Sequence, residues 1–333
     1  MKSLTVGPND AGQRLDKFIV KTFPALPQSM LYKAIRTKHI KRNGKRCEIS
    51  VRLEEGDRID LYLKDDLLAE APKAYPFLKA SSKIEVLYED SRLLLVDKPA
   101  GLIVHSDESH YGDTLIDRIQ RYLFEKGEYR PAEENAFAPA LVNRIDRNTG
   151  GIVIAAKTAE SLRLLNEMMK ERAIDKFYLC ILHGRLAQKE GILEGYLEKD
   201  SAQNRVFVHS RPIPGGKTIR TKYRIVAERE RYSLAEVELL TGRTHQIRAH
   251  FASIGHPLAG DGKYGTNALN RACGYKAQAL YSYKLTFHVP DPESPLHDLD
   301  MKTVEAPKVW FVQDFYGGVF GPSAAPAAKI RKK

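Results

Sequence analysis

A chain of 333 residues is long enough for two domains, or for one large domain with an appendage. Its 43% apolar and 29% charged residues are a globular composition, and no apolar run approaches the roughly 20 residues needed to cross a bilayer. The net charge of +11 points to a polyanion, nucleic acid before a membrane surface. The three distant cysteines, Cys47, Cys180 and Cys273, exclude a disulfide framework and a paired-cysteine zinc site, and imply a reducing, cytoplasmic compartment. Met1 to Gly7 has no apolar core of the kind a secretory signal carries.

Taken in order, residues 1–64 read as a small domain. Leu15, Phe18 and Ile19 line one face of a first helix that Pro24 and Pro27 end. Ser29 is placed to cap a second helix, Met30 to Thr37, with Leu31, Ala34 and Ile35 inward. Asn43-Gly44 signals a hairpin, and Ile59, Leu61 and Leu63 alternate as a closing strand. Met1 to Lys64 carries 14 lysines and arginines against 7 acids. Within it Lys33, Arg36, Lys38, Lys41, Arg42, Lys45 and Arg46 run with no acid between them. Such a run can be a plain solvated face, but a helix and a hairpin supplying bases to one short segment suggest a surface for RNA phosphates. Arg14-Leu-Asp, Ser29, Ile35, Ile40, Asn43-Gly44 and Gly56-Asp57 resemble the S-four-type RNA-binding domain. That resemblance implies a small α/β unit that grips structured RNA by shape and phosphate contacts.

Residues 65–82, with Pro72 and Pro76, read as a linker, and 83–316 as a second domain. Ile84 to Asp90 forms a strand, and Leu93 to His105 a strand, a Pro-Ala-Gly turn and another strand. Thr114 to Lys126 is an amphipathic helix with Leu115, Ile119 and Leu123 on one side. Next come Ala140-Leu-Val, a polar loop, and a buried strand from Ile152 to Ala156. The loop holds Arg144, Asp146, Arg147, Asn148 and Thr149, with Gly150-Gly151 where the backbone turns or is closely approached. Its plain reading is a surface turn with a solvated ion pair. Thr158 caps a helix to Arg172, and in the strand that follows Tyr178 faces away from Phe177, Leu179 and Ile181.

The polar stretch 199–222 reads as a loop. Its Gly215-Gly-Lys-Thr218 is no phosphate-binding loop, since Arg211 stands where the first glycine is required. Ala235 to Leu239 is a half-buried strand. Thr244 is placed to cap a helix lined by Ile247, Phe251 and Ile254 and closed by Gly255 and Pro257. His245 and Arg248 share a face at its start, beside Arg243. His245 and His250 are five apart with no acid between them, so no metal site is expected. Gly260-Asp-Gly-Lys-Tyr-Gly265 is a turn-rich loop, Leu280 to Val289 and Lys308 to Val312 supply closing strands, and 317–333 is a basic, flexible tail.

Four blocks, met in order, resemble the RluA-type pseudouridine synthases: Asp97-Lys-Pro-Ala-Gly; Asn143-Arg-Ile-Asp-Arg-Asn-Thr-Gly-Gly; Lys176-Phe-Tyr; and Thr241-Gly-Arg-Thr-His-Gln-Ile-Arg-Ala-His with Gly255-His-Pro and Gly260-Asp-Gly-Lys-Tyr-Gly. The resemblance implies an α+β fold: a mixed, mainly antiparallel central sheet flanked by helices, with the active-site cleft across it. It further implies Asp146 as the catalytic aspartate, Arg248 as its partner, Tyr178 stacking on the target base and Arg144 entering the space the uridine leaves. Arg147, His245 and Arg243 are expected at the RNA, along with Lys33, Arg36, Lys38, Lys41, Arg42 and Lys45 of the first domain. Three residues depart from the family pattern: Asn143 stands for histidine, Gly150 for serine and Tyr281 for histidine.

The function these readings give is isomerisation of uridine to pseudouridine in structured RNA, ribosomal RNA before transfer RNA. The base moves from nitrogen 1 to carbon 5 on the same ribose, so neither redox cofactor nor metal is required. One ionised carboxylate suffices, where a glycosidase needs two. A monomer is expected, with no membrane partner. The alternative is an RNA-binding or ribosome-assembly protein on a synthase scaffold with little activity.

Overall fold

The computed structural model describes residues 1–68, 75–106, 112–200 and 202–317. The first unit contains β1 (Lys2–Thr5), α1 (Leu15–Thr22), α2 (Gln28–Arg36), β2 (Ile40–Arg42), β3 (Lys45–Arg46) and β4 (Arg58–Leu61). Its sheet runs β1-β4-β2-β3, every pair antiparallel. Leu15, Phe18, Ile19, Leu31, Ile35, Ile40, Ile59 and Leu61 fill the space between helices and sheet. The β2–β3 hairpin turns on Asn43 (φ 51°) and Gly44 (φ 73°), the left-handed pair that a tight two-residue hairpin requires. Two expectations need correction. Helix α2 begins at Gln28 with Pro27 before it, so Ser29 lies inside the helix and caps nothing. Strand β1 was not anticipated, because four residues pairing with a partner more than fifty positions away leave no local pattern.

The larger unit contains β5 (Glu85–Glu89), β6 (Leu93–Lys98), α3 (Leu115–Glu125), β7 (Ala140–Leu141), β8 (Gly150–Ala156), α4 (Ala159–Glu171), β9 (Ile174–His183), β10 (Glu190–Asp200), β11 (Arg205–His209), β12 (Lys217–Arg229), β13 (Tyr232–Leu239), α5 (Gln246–Ser253), α6 (Asn267–Cys273), β14 (Leu280–Phe287), β15 (Thr303–Glu305) and α7 (Trp310–Gly317). Among the described residues eleven strands form one sheet in the order β11-β10-β12-β13-β9-β14-β8-β6-β5, with β15 added to β14 and β7 to β8. Among the described residues only β8 and β14 pair in parallel. The fold is therefore the α+β, mainly antiparallel architecture expected.

Strand β8 is buried along its whole length. Ile152 and Ile154 enter one core with Leu165 of α4 and Phe311 and Phe315 of α7. Val153 and Ala155 enter the other with Leu115, Ile119 and Leu123 of α3 and Ile247 and Phe251 of α5. A strand covered on both faces needs apolar side chains at every position, which is why this run does not alternate.

Several sequence readings are corrected here. Residues 199–222 are not a loop: they carry the end of β10, all of β11 and the start of β12. These strands lie toward one edge of the sheet and have many exposed side chains, so polar residues hide their periodicity. The stretch Leu102 to His105 forms no strand; the carbonyls of Ile103 and Val104 accept from the Leu115 and Ile116 N–H groups at the start of α3. Lys308 to Val312 is not a strand, since α7 starts at Trp310. Helix α6 follows the Gly260-to-Gly265 loop in a stretch that the sequence reading does not assign. The segment read as linker has short helical turns at Asp65–Leu68 and Pro76–Lys79, and Phe77 is buried against Phe124 and Tyr129. The basic tail beyond Gly317 lies outside the described residues. No helix among them is long and apolar enough to cross a membrane.

The first unit rests on the second. Asn9 Nδ2 donates to Glu134 (2.7 Å), Asn9 Oδ1 accepts from the Ala159 N–H (3.2 Å), and Asn135 Nδ2 donates to Asp10 (2.7 Å). Arg163 Nη1 donates to the Ala11 carbonyl at 2.8 Å.

Candidate active site

The loop between β7 and β8 is fixed from behind before any functional group is considered. Asn143 is buried; its Oδ1 accepts from the Ile154 N–H at 2.8 Å, tying the loop to β8. Lys98, fully buried at the end of β6, donates to the carbonyls of Pro99 (3.0 Å), Leu102 (2.8 Å) and Arg147 (3.0 Å). Burial pulls its pKa down to about 7, against the opposing charges of Asp146 and Asp97. The Gly101 N–H donates to the same Arg147 carbonyl. At the other end of the loop, a side chain on Gly151 (φ 114°) would place its Cβ 2.1 Å from the Ser282 carbonyl oxygen on β14. Only glycine allows the two strands to approach this closely.

Arg248 reaches the loop from α5. That helix starts at His245, which takes a left-handed conformation (φ 52°) and makes no side-chain cap; Thr244 is therefore not the cap expected, and Ile254 is exposed. Arg248 Nη1 donates to Asp146 Oδ2 at 2.7 Å. Its Nε and Nη2 donate to the two oxygens of Asp261 at 2.7 and 2.9 Å. Burial opposes the charge on Arg248, but the hydrogen bonds and charges of Asp261 and Asp146 outweigh it and raise its pKa further. Asp261 is fully buried. Desolvation pushes its pKa up, yet Arg248 and the N–H groups of Lys263 and Tyr264 bring it below the usual carboxylate range. One buried arginine is thus gripped by one carboxylate and presented to another.

Asp261 was not singled out from the sequence, where it is one acid in a glycine-rich turn. The signal available was its position in the Gly260-to-Gly265 block that follows the arginine helix.

His245 and Tyr264 close the same corner. His245 Nε2 lies 3.8 Å from Asp146 Oδ2, and its Nδ1 is 3.0 Å from the Tyr264 hydroxyl. Burial lowers the His245 pKa, with Asp146 acting the other way. Tyr178 projects from β9 into the core that faces α3 and α5, with 6% of its surface exposed. Burial pushes its pKa up to about 12, the nearby Ser282 side chain acts the other way, and the Asp146 charge adds to the rise. The phenol is therefore neutral.

The structure brings Asp146, Arg248, Tyr178 and His245 together. Arg144, Arg147 and Arg243 are exposed around them. Lys33, Arg36, Lys38 and Lys45 are exposed on the first unit, apart from this cluster. Lys41 lies 5.3 Å over the Tyr62 ring. Arg42 is occupied: it pairs with Asp57 at 2.5 Å and with Glu54 at 3.1 Å, so it holds the hairpin instead of standing free for a phosphate. Among the described residues no group of three or more His, Cys, Asp or Glu side chains could hold a metal ion. A cavity of about 760 Å³ opens elsewhere, lined by Asp97, Leu102, Tyr281 and Trp310, and does not include Asp146.

Chemically, the cluster offers one reachable carboxylate. Asp261 is too deeply buried and too fully engaged to act as a second. This excludes the paired-carboxylate arrangement of ordinary glycoside hydrolysis.

Comparison with known proteins defines the class. Residues 92–253 match the family described as RNA pseudouridylate synthase, and residues 13–59 match the S4 domain. An uncharacterised RNA pseudouridine synthase of Mycoplasma genitalium is 32% identical over 282 residues, 83% of this chain and 85% of that one. The ribosomal large subunit pseudouridine synthase C of Vibrio cholerae is 31% identical over 294 residues, 86% of this chain and 88% of that one. The solved structure of human RNA pseudouridylate synthase domain containing 4 shares the fold, with a TM-score of 0.54 at 19% identity over 70% of this chain and 92% of that one. The chain belongs to the RNA pseudouridine synthase family, RluA type, and is an RNA-modifying isomerase with an S4 domain ahead of its catalytic fold.

Proposed function

We propose that this chain converts specific uridines of large-subunit ribosomal RNA to pseudouridine, with Asp146 as the only reacting side chain and no cofactor. The observation that carries this reading is the chain of contacts Asp261–Arg248–Asp146. It fixes a single, partly exposed carboxylate against a buried guanidinium, the placement that attack on the ribose or removal of a proton from it demands. The ribosomal substrate is supported by the relatives from Vibrio cholerae and Vibrio vulnificus, both called ribosomal large subunit pseudouridine synthase C, and by the exposed bases of the first unit.

In this reading residues 1–64 anchor the RNA, residues 83–316 perform the reaction, and the protein acts as a monomer in the cytoplasm. A uridine inside a stacked or paired RNA is out of reach of Asp146 and must be flipped, which costs a few kcal/mol. Tyr178 offsets part of that cost by offering its ring to the extruded base, and Arg144 by filling the gap left behind. Arg147 and Arg243 on the rim contact phosphates. His245, held neutral by burial, keeps Tyr264 and Asp146 in register without adding a competing charge. The test is to map pseudouridine in RNA from cells whose only copy carries Asp146→Asn. The reading requires loss of one or a few defined sites; retention of all of them would reject it.

A further inference from the structure

The contacts at Asp146 continue outward along a row of alternating cations and rings. Arg248 Cζ lies 5.2 Å from the centre of the Tyr264 ring. Arg205 Cζ, from β11, lies 5.2 Å from the same ring and 5.8 Å from the ring of Phe207. The Val206 N–H donates to the Tyr264 hydroxyl at 3.0 Å, and Val206 itself packs in a small core with Ala249 of α5. Lys263 Nζ donates to the Asn204 carbonyl at 2.6 Å, which pins the start of β11 to the loop that carries Asp261. Strand β11 is thereby fastened to the active-site elements, and its position is set by them.

Phe207 ends this row on the edge strand of the sheet with 41% of its surface exposed. A single exposed aromatic is ordinary. This one is not isolated: Arg205, two positions away on the same face of the strand, lies over its ring, and Lys263 belongs to the same corner. An exposed ring next to an arginine that forms no salt bridge among the described residues matches an unpaired nucleotide, whose base stacks on the ring while its phosphate meets the arginine.

We propose that Phe207 and Arg205 form a stacking site for an unpaired nucleobase of the RNA substrate, one that lies near the target uridine in the bound RNA and is not itself modified. The site rests on the reading of Asp146 as the reacting group, because it gains its meaning from the distance to that residue. It holds the strand next to the target open and fixes its register.

The test uses the full-length protein and total RNA, labelled with 4-thiouridine, from cells that lack it. Crosslink yield under near-ultraviolet light is followed against protein concentration, and crosslinked peptides are identified by mass spectrometry. All variants are built on an Asp146→Asn background, so the outcome does not depend on turnover and can fail independently of the catalytic reading. The peptide containing Phe207 is expected among the crosslinked ones. Phe207→Leu is expected to raise the half-saturating concentration about five- to a hundredfold, the loss of one stacked base. Phe207→Tyr should restore wild-type affinity, and both variants should melt as the parent does. Unchanged half-saturation with Phe207→Leu would overturn the proposal, whichever peptides crosslink. So would equal losses in the leucine and tyrosine variants, since the ring would then not be what binds.

Discussion

Tyr281 occupies the space that a side chain at position 150 would need. A Cβ built on Gly150 would lie 2.5 Å from Cε2 of Tyr281, closer than any real contact allows. The two residues pair across the parallel junction of β8 and β14, and the Tyr281 hydroxyl donates to Asp97 at 2.6 Å. Two departures from the family pattern, glycine for serine and tyrosine for histidine, thus form one exchange: a larger residue on β14 and a smaller one on β8. Gly150→Ser alone should therefore cost about 1–3 kcal/mol through overpacking. Adding Tyr281→His should recover part of that, so the double variant is more stable than the sum of the single effects by about 0.5–3 kcal/mol. Urea unfolding of the four proteins measures the coupling, and additive losses would show that the residues do not share the space.

The grip of Asp261 on Arg248 has a stability consequence with a definite sign. The folded-state pKa of Asp261 is below its ordinary value, so the unfolded chain binds the more protons in acid and stability rises with pH there. The contribution is complete above about pH 4 and fades as pH falls through the folded value. Asp261→Asn should cost roughly 3–5 kcal/mol at neutral pH, since it leaves a buried guanidinium underpaired. The gap from wild type should narrow on acidification below about pH 4. Stability curves at several pH values check this; a gap that is constant from neutral pH into acid would exclude the pair as its source.

The same substitution should slow the reaction even where the protein is folded. With Asp261 weakened, Arg248 loses the partner that aims it, and a misplacement near 1 Å at a reacting group costs about a hundredfold. The loss should fall on kcat and leave RNA binding nearly unchanged. Single-turnover rates at saturating RNA make the measurement. A rate within about threefold of wild type would mean that Arg248 is positioned by something else.

The exposed bases of the first unit predict a salt effect. Replacing Lys33, Arg36, Lys38 and Lys45 together by glutamine should weaken RNA binding and flatten the dependence of log affinity on log salt by up to about 3 to 4 units, near one per lost phosphate contact. Arg42→Gln should behave differently. Its ion pairs with Asp57 and Glu54 make it a stability variant whose salt slope matches wild type. Binding isotherms across a salt series separate the two classes, and a reduced slope for Arg42→Gln would return it to the phosphate surface.

The extent to which all this could be read from residues follows from the range of each interaction. Asp146, Arg248 and Tyr178 stand in short motifs that resemble those of a known family, and it was that resemblance that let their meeting be anticipated. The role of Asp261 could not, because only the folded chain shows that it holds Arg248 bidentately. The Gly150–Tyr281 exchange was visible as two unrelated departures, since residues 131 positions apart have no local signature. Strands β11 and β12 were hidden by their polar exposed faces, and Leu102 to His105 passed for a strand because a loop buried under α3 is as apolar as one. His245 was missed as the helix start because a left-handed residue there satisfies a geometric need that composition does not record.

The central claim, that Asp146 alone performs the reaction, is tested most directly by tritium release. Joining carbon 5 of uracil to the ribose expels the hydrogen on carbon 5, so RNA labelled there releases tritium to water once per pseudouridine formed. Wild type and Asp146→Asn are compared in a single turnover on substrate RNA, with binding measured in parallel. The account predicts that Asp146→Asn binds the RNA within a few-fold of wild type and releases tritium roughly a thousandfold more slowly or not at all. Release by Asp146→Asn within tenfold of the wild-type rate would contradict it.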